Sequence, residues 1–239
     1  MKSFSLKLLA FFFMTLFSFG LGGGASSLVG AQTNQLSLQQ AKQNLLKNRT
    51  RTDLINYLIV KNNYQSYLEI GVASGDNFNH IQIARKDGVD PHGKPANYHM
   101  TSDEFFARYS NKYDIVFIDG LHLCDQVIRD VVNSLASLNE GGMIVMHDCL
   151  PVTFENQVPY VIQGAWNGDV WKAAAHIRMH MPDVYFCVLD MDWGCGIVNP
   201  SFGQETYPYV PFNDLDWNFY VENRDSLLNV KKVEDYIQP

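Results

Sequence analysis

Apolar positions near the start of the chain recur at helical spacing. Leu38, Ala41, Leu45 and Leu46, then Leu54, Ile55, Leu58 and Ile59, are separated by Arg, Lys, Asn and Gln, which predicts one or two helices over residues 36–62. The pattern then changes. Short apolar runs at 67–70, 88–90, 98–100, 115–118 and 143–146 read as strands. Between the fourth and fifth runs, Val127, Ile128, Val131, Val132, Leu135 and Leu138 form one stripe, a helix over 124–138 that Gly141-Gly142 should stop. Another helix is expected in "GDVWKAAAHIRMHM", with Asp169 as its N-cap. The runs at 184–189 and 194–198 are separated only by "DMDW", too short for a helical crossover, so they should pair as an antiparallel hairpin. Residues 199–218, rich in Pro, aromatics and Asp, read as a surface-wrapping segment before a final helix over 226–236.

Strands alternating with helices predict an α/β chain with a doubly wound, mostly parallel sheet covered on both faces. A ligand then belongs at the carboxyl ends of the strands. Composition narrows the options. The 239 residues are 46% hydrophobic with a formal charge of −7, and no basic cluster exceeds Arg85-Lys86 or Lys231-Lys232, which argues against a nucleic-acid partner. Residues 1–31 stand apart: Lys2 and Lys7 precede or flank the apolar run 8–21, and small residues surround a cut site after Ala31. This is the pattern of a signal peptide or a membrane-targeting leader, with membrane association through residues 8–21. Loss of its two lysines would take the charge from −7 to −9. Cys124, Cys149, Cys187 and Cys195 contain no C-x-x-C pair; three disulfide connectivities are open, but single buried thiols suit a chain of this length.

Acids recur at the ends of the predicted strands. Glu69 ends the first, followed by the turn Gly71-Val72-Ala73-Ser74-Gly75 into a helix expected near Asp76. Glycines there let backbone approach a ligand, but Ala73 stands where a dinucleotide fingerprint needs its second glycine. Asp90 ends the second strand, 21 residues after Glu69, where an acid can accept ribose hydroxyls or simply start the Asp90-Pro91 turn. Ser102-Asp103 follows the third run, suited to an exocyclic amine or to capping a helix, and Asp119 ends the fourth.

The set "YLEIGVASGDNF", "GVDP", "MTSDEFF", "YDIVFIDGLHLCDQVIRDV" and "LNEGGMIVMHDCLP" resembles the class I S-adenosylmethionine-dependent methyltransferases, over roughly residues 50–200. The resemblance is to the group with Ile-Asp-Gly-x-His and His-Asp strand ends. It implies a Rossmann-like seven-stranded sheet with an antiparallel last strand, in a domain over 36–239: helices 36–62, cofactor half 64–150, hairpin and tail 151–239. It also implies S-adenosylmethionine as cofactor, held by Glu69, Gly71, Ala73 and Gly75 on the methionine and ribose side, Asp90 at the ribose, Ser102 and Asp103 at the adenine, with Asp119 closing the pocket.

Methyl transfer from a sulfonium leaves positioning and deprotonation of the acceptor as the protein's tasks. His122, three residues after Asp119, is the candidate base, with Asp119 as its catalytic partner. Asp119 and Asp148 end adjacent strands and could hold Mg²⁺. Related metal-dependent O-methyltransferases have a third oxygen ligand next, where this chain has Cys149, a soft ligand. The Asp/Asn-Pro-Pro-aromatic signature of base and glutamine methylases is absent. Trp166, Trp171, Trp193 and "YPYVPF" either wall an acceptor pocket or pack the tail against the sheet. The expected reaction is methylation of a hydroxyl of a small molecule or glycan. Alternatives are a non-catalytic Rossmann-like binding module in glycan or envelope biosynthesis and a nucleotide-dependent oxidoreductase. An export leader and a cytosolic cofactor pull the expected location in opposite directions.

Overall fold

The computed structural model describes residues 36–162 and 164–238. The leader expected at 1–31 lies outside them. Among the described residues no helix is long and apolar enough to cross a membrane.

Two capped helices open the described chain. Ser37 and Gln40 form a reciprocal capping box at the start of α1 (Leu38–Asn48), and Arg49 ends it in the left-handed conformation. The Thr50 side chain then caps α2 (Arg51–Asn62) by accepting from the Asp53 N–H, an interaction worth about 1 kcal/mol. This tight join fixes Arg51 at a helix N-terminus.

Seven strands follow: β1 (Ser66–Ile70), β2 (Arg85–Val89), β3 (Tyr113–Ile118), β4 (Leu138–Met146), β5 (Tyr185–Leu189), β6 (Cys195–Asn199) and β7 (Val230–Lys231). They form one sheet in the order β2-β1-β3-β4-β6-β5-β7. Within it β6 runs antiparallel to both neighbours, β4 and β5, and the remaining pairs are parallel. The hairpin expected from "DMDW" is therefore present, and its second strand is inserted between β4 and β5.

Strand alternation divides the core. Tyr67, Ile115, Phe117, Met143 and Val145 face α1, α2 and the short α7 (Val233–Tyr236). Leu68, Ile70, Val116, Ile118, Ile144 and Met146 face α4 (Cys124–Ala136) and α5 (Val170–His180). Both faces of the sheet are thus covered, as its near-continuous apolar strands require.

Several boundaries differ from the sequence expectation. The run at 98–100 makes only an isolated bridge from Tyr98 to Val89, and the seventh strand is β7 instead. The helix expected near Asp76 is a single 3₁₀ turn, Phe78–His80. There Lys86 Nζ takes the carbonyls of Phe78 and Ile81, and the Asn77 side chain is drawn to Tyr67 and Glu69. The helix expected over 226–236 survives only as α7: an unforeseen α6 (Trp217–Leu227) ends where it should begin, and Asn229, left-handed and donating to the Phe186 carbonyl, releases residues 230–231 to pair with β5. Leu138 starts β4 instead of closing α4, and Gly141-Gly142 lies inside that strand, beside a register shift against β3. Asp169 precedes α5 without capping it; its carboxylate accepts the Cys124 N–H at 2.7 Å, at the start of α4. All four cysteines are buried free thiols.

Candidate active site

The carboxyl ends of β1 to β4 open into a cavity of about 1010 Å³, at the upper end of the range for small-molecule sites. Every sequence-predicted site residue lines it except Gly75. The residues fall into two neighbourhoods.

In the first, β1 leaves the sheet through Gly71, at φ +87°. A Cβ on Gly71 would lie 2.0 Å from the Asp119 carbonyl oxygen, so this glycine allows the ends of β1 and β3 to touch. Gly75, at φ +86°, packs under Pro95 and Asn79. It does not line the cavity, and in the structure it serves the turn. Ala73 takes the left-handed conformation at φ +46°, and its N–H donates to Asp90.

Glu69 is buried, 1% exposed. The Tyr67 hydroxyl and the Asn77 amide both donate to its Oε2, and no described group donates to Oε1. Burial pushes its pKa up to about 7 against those two hydrogen bonds. Asp90 behaves in the opposite way. Its Oδ2 accepts from Val72 and Ala73 at 3.0 and 2.8 Å, and its Oδ1 from His92 and Gly93 at 2.7 and 2.6 Å. Partial burial opposes ionisation, but the four backbone donors outweigh it and hold the carboxyl below its usual range. They also use all of its approximately four acceptor positions, so Asp90 ties the two loops together and has little left for a ribose. Thr101, not Ser102 or Asp103, caps α3 (Ser102–Arg108). This frees both side chains to meet Gln126, whose Nε2 donates to Ser102 Oγ and Asp103 Oδ1, each at 3.2 Å.

The second neighbourhood is a cluster of charges. His122 Nε2 lies 3.3 Å from both Asp119 Oδ1 and Asp148 Oδ2. Its Nδ1 donates to the Trp166 carbonyl at 2.9 Å, and its ring stacks on Trp166 with centroids 5.0 Å apart. His147 Nδ1 approaches the same two carboxylate oxygens at 3.4 and 3.0 Å. The other Asp119 oxygen, Oδ2, receives Arg51 Nη1 at 2.7 Å, and Asp148 Oδ1 receives the Asn167 amide at 2.7 Å. Arg51 also donates from its backbone N–H and Nε to Asp192 Oδ2, at 2.7 and 3.2 Å.

Local backbone places these groups. Asp148 is left-handed at φ +61° as β4 ends, and Asp192 and Trp193 are left-handed in the β5–β6 turn. Gly168 presses on His122, since a Cβ there would sit 1.8 Å from the His122 carbonyl oxygen. For Asp119, His122 and His147 burial opposes the charged form, yet the partners prevail. His147 and Arg51 charge and the hydrogen bonds from both histidines hold Asp119 well below the usual carboxylate range. The hydrogen bond to Asp119 and the charges of both acids raise the His122 pKa, and Asp119, Asp148 and Asp192 raise that of His147 further.

Sequence reasoning missed Arg51, Asp192 and Asn167 and gave His147 no role. Of the aromatics, Trp166 and Trp193 reach the cavity wall. Trp171 is fully buried in the core, and the "YPYVPF" segment does not line the cavity.

Residues 22–149, just over half of the chain, match a family model described as a methyltransferase domain. No curated protein matches. Among solved structures, a candidate caffeoyl-CoA O-methyltransferase from Staphylococcus aureus is 18% identical, with a TM-score of 0.50 over 70% of this chain and 94% of its own. The S-adenosylhomocysteine-bound methyltransferase of Podospora anserina is 14% identical at a TM-score of 0.48, over 70% of this chain and 88% of its own. An O-methyltransferase from Bacillus cereus in complex with S-adenosylhomocysteine is 14% identical at 0.46, over 70% and 83%.

Proposed function

The chain belongs to this family of class I S-adenosylmethionine-dependent methyltransferases, and from that premise we propose that it methylates a hydroxyl oxygen of a small molecule or glycan. The observation that carries the reading is His122, fixed at the cavity wall with Nε2 within 3.3 Å of two carboxylates.

The first neighbourhood suits the cofactor. Glu69 Oε1 offers an acceptor for the amino group of its methionine part, the turn through Gly71 and Ala73 brings backbone close, and Ser102, Asp103 and Gln126 offer polar atoms to the adenine. Asp90 contributes by shaping the loops that border the ribose. When bound, S-adenosylmethionine supplies an electrophilic methyl group, so the chain's own work is to align an acceptor oxygen and remove its proton.

His122 suits the second task. With Nδ1–H fixed on Trp166, Nε2 is the atom that gains or loses a proton. Two neighbouring carboxylates raise its pKa and so favour the protonated ring, which must lose that proton to act as base. The same raised pKa makes the neutral ring a strong acceptor for the hydroxyl proton, which Asp119 then stabilises. An intact His-Asp set of this kind supports turnover rather than a chemistry-free binding module.

The Mg²⁺ expected at Asp119 and Asp148 does not fit this donor set. Asp119, His122 and Asp148 do offer atoms within 4.8 Å of one another. However, each oxygen of both acids already faces Arg51, a histidine or Asn167, and imidazole is a poor ligand for this hard ion.

The acceptor class is tested by supplying methyl-labelled S-adenosylmethionine with parallel panels of phenols, saccharides, amines and thiols. Label on oxygen, lost in His122→Asn, is the expected result. Label confined to nitrogen or sulfur would overturn the assignment.

A further inference from the structure

We infer that Arg51 is the resident cation of the acceptor side, and that its guanidinium keeps Asp119 from serving a divalent ion. This residue comes from outside the strand ends. As the first residue of α2 it holds two acids at once: Nη1 donates to Asp119 Oδ2 at 2.7 Å, while Nε and the backbone N–H donate to Asp192 Oδ2. Nη1 also lies 3.1 Å from His147 Nδ1. The start of α2 adds the partial positive charge of its helix dipole at the same place.

Three carboxyl groups, Asp119, Asp148 and Asp192, meet Arg51 and two imidazoles, all within 3.5 Å of a partner. A divalent ion brought to Asp119 and Asp148 would have to displace the side chains already packed on them and then sit beside an Arg51 that cannot lose its charge. In a site this poorly exposed, where Asp119 is 17% and Asp148 10% accessible, such like-charge crowding is weakly screened. Arg51 is a positioning residue in this scheme: it sets the orientation and charge of Asp119, which in turn faces His122.

The inference rests on the methyl-transfer reading only for naming this side the acceptor side, and its test does not use turnover. Mn²⁺ is titrated into the full chain and followed by the loss of free-ion paramagnetic resonance, with S-adenosylhomocysteine binding as the check on folding. Wild type should bind no Mn²⁺ up to millimolar concentration. Arg51→Met should gain one site at least tenfold tighter, Arg51→Lys should stay metal-free, and Arg51→Met/Asp119→Asn should lose the gained site. Micromolar Mn²⁺ binding by wild type that Asp119→Asn abolishes would overturn the inference. So would an Arg51→Met protein that binds S-adenosylhomocysteine but no Mn²⁺. Should Arg51→Met fail to fold, the wild-type titration alone decides.

Discussion

Glu69 and Asp119 end neighbouring strands and face one cavity, yet their surroundings push them in opposite directions. Glu69 is met by a phenol and an amide, and burial lifts its pKa to about 7. Asp119 is equally part of the sheet edge, but it is met by a guanidinium and two imidazoles and stays ionised. The Glu69 side of the cavity is therefore organised by neutral dipoles and the Asp119 side by full charges. The first arrangement suits binding a ligand that carries its own positive charge; the second suits moving a proton. A carboxylate's job at a strand end is decided by what the neighbouring elements bring to it.

The largest test of this contrast is on the charged side. His122→Asn should lower methyl transfer by about 10²–10⁴-fold. In wild type the rate should rise with pH through a midpoint above 6.5, since the raised His122 pKa means that the neutral base accumulates only there. The variant should lose this limb. A pH–rate profile unchanged by the substitution would remove His122 from the proton path.

Gly71→Ala breaks the comparison by damaging both sides together. With a Cβ placed 2.0 Å from the Asp119 carbonyl at φ +87°, the strand ends must separate, at a cost of about 3 kcal/mol or more. Urea denaturation should show the loss, and S-adenosylhomocysteine binding should weaken with it. Gly75→Ala should leave Asp119 in place and affect the turn alone.

Glu69→Gln is the gentlest probe, and its sign depends on pH. Because the folded pKa is raised, the wild-type group favours the folded state below its unfolded value of about 4.5 and loses that contribution as pH rises through about 7. The variant should match wild type near pH 4 and exceed it by about 1–3 kcal/mol at pH 8. A difference of the same size at both values would show that Glu69 is not held partly neutral.

The sequence exposed the strand ends because a sheet converts position into location: a polar residue closing an apolar run must lie at one edge. Glu69, Asp90, Asp119 and Asp148 were legible for that reason, and the "DMDW" spacing made the hairpin legible too. Arg51 and Asp192 were hidden, as they are 141 positions apart and meet only because a helix start and a hairpin turn converge over the sheet. The spacing that singled out Asp90 does not reveal the four backbone donors it receives. The two-residue β7 carries too short a pattern to register, and Tyr98 lies in an apolar run whose neighbours never extend its single bridge.

The loop between Asp148 and α5 has a further meaning. It delivers Trp166 and Asn167 to the cavity and is clamped where Gly168 meets His122, while Val152, Phe154, Tyr160 and Val161 stand out in solvent. Its ends are fixed and its middle belongs to no strand. This part of the cavity wall can thus be rewritten in one contiguous stretch while the strand ends β1 to β4 stay uncut.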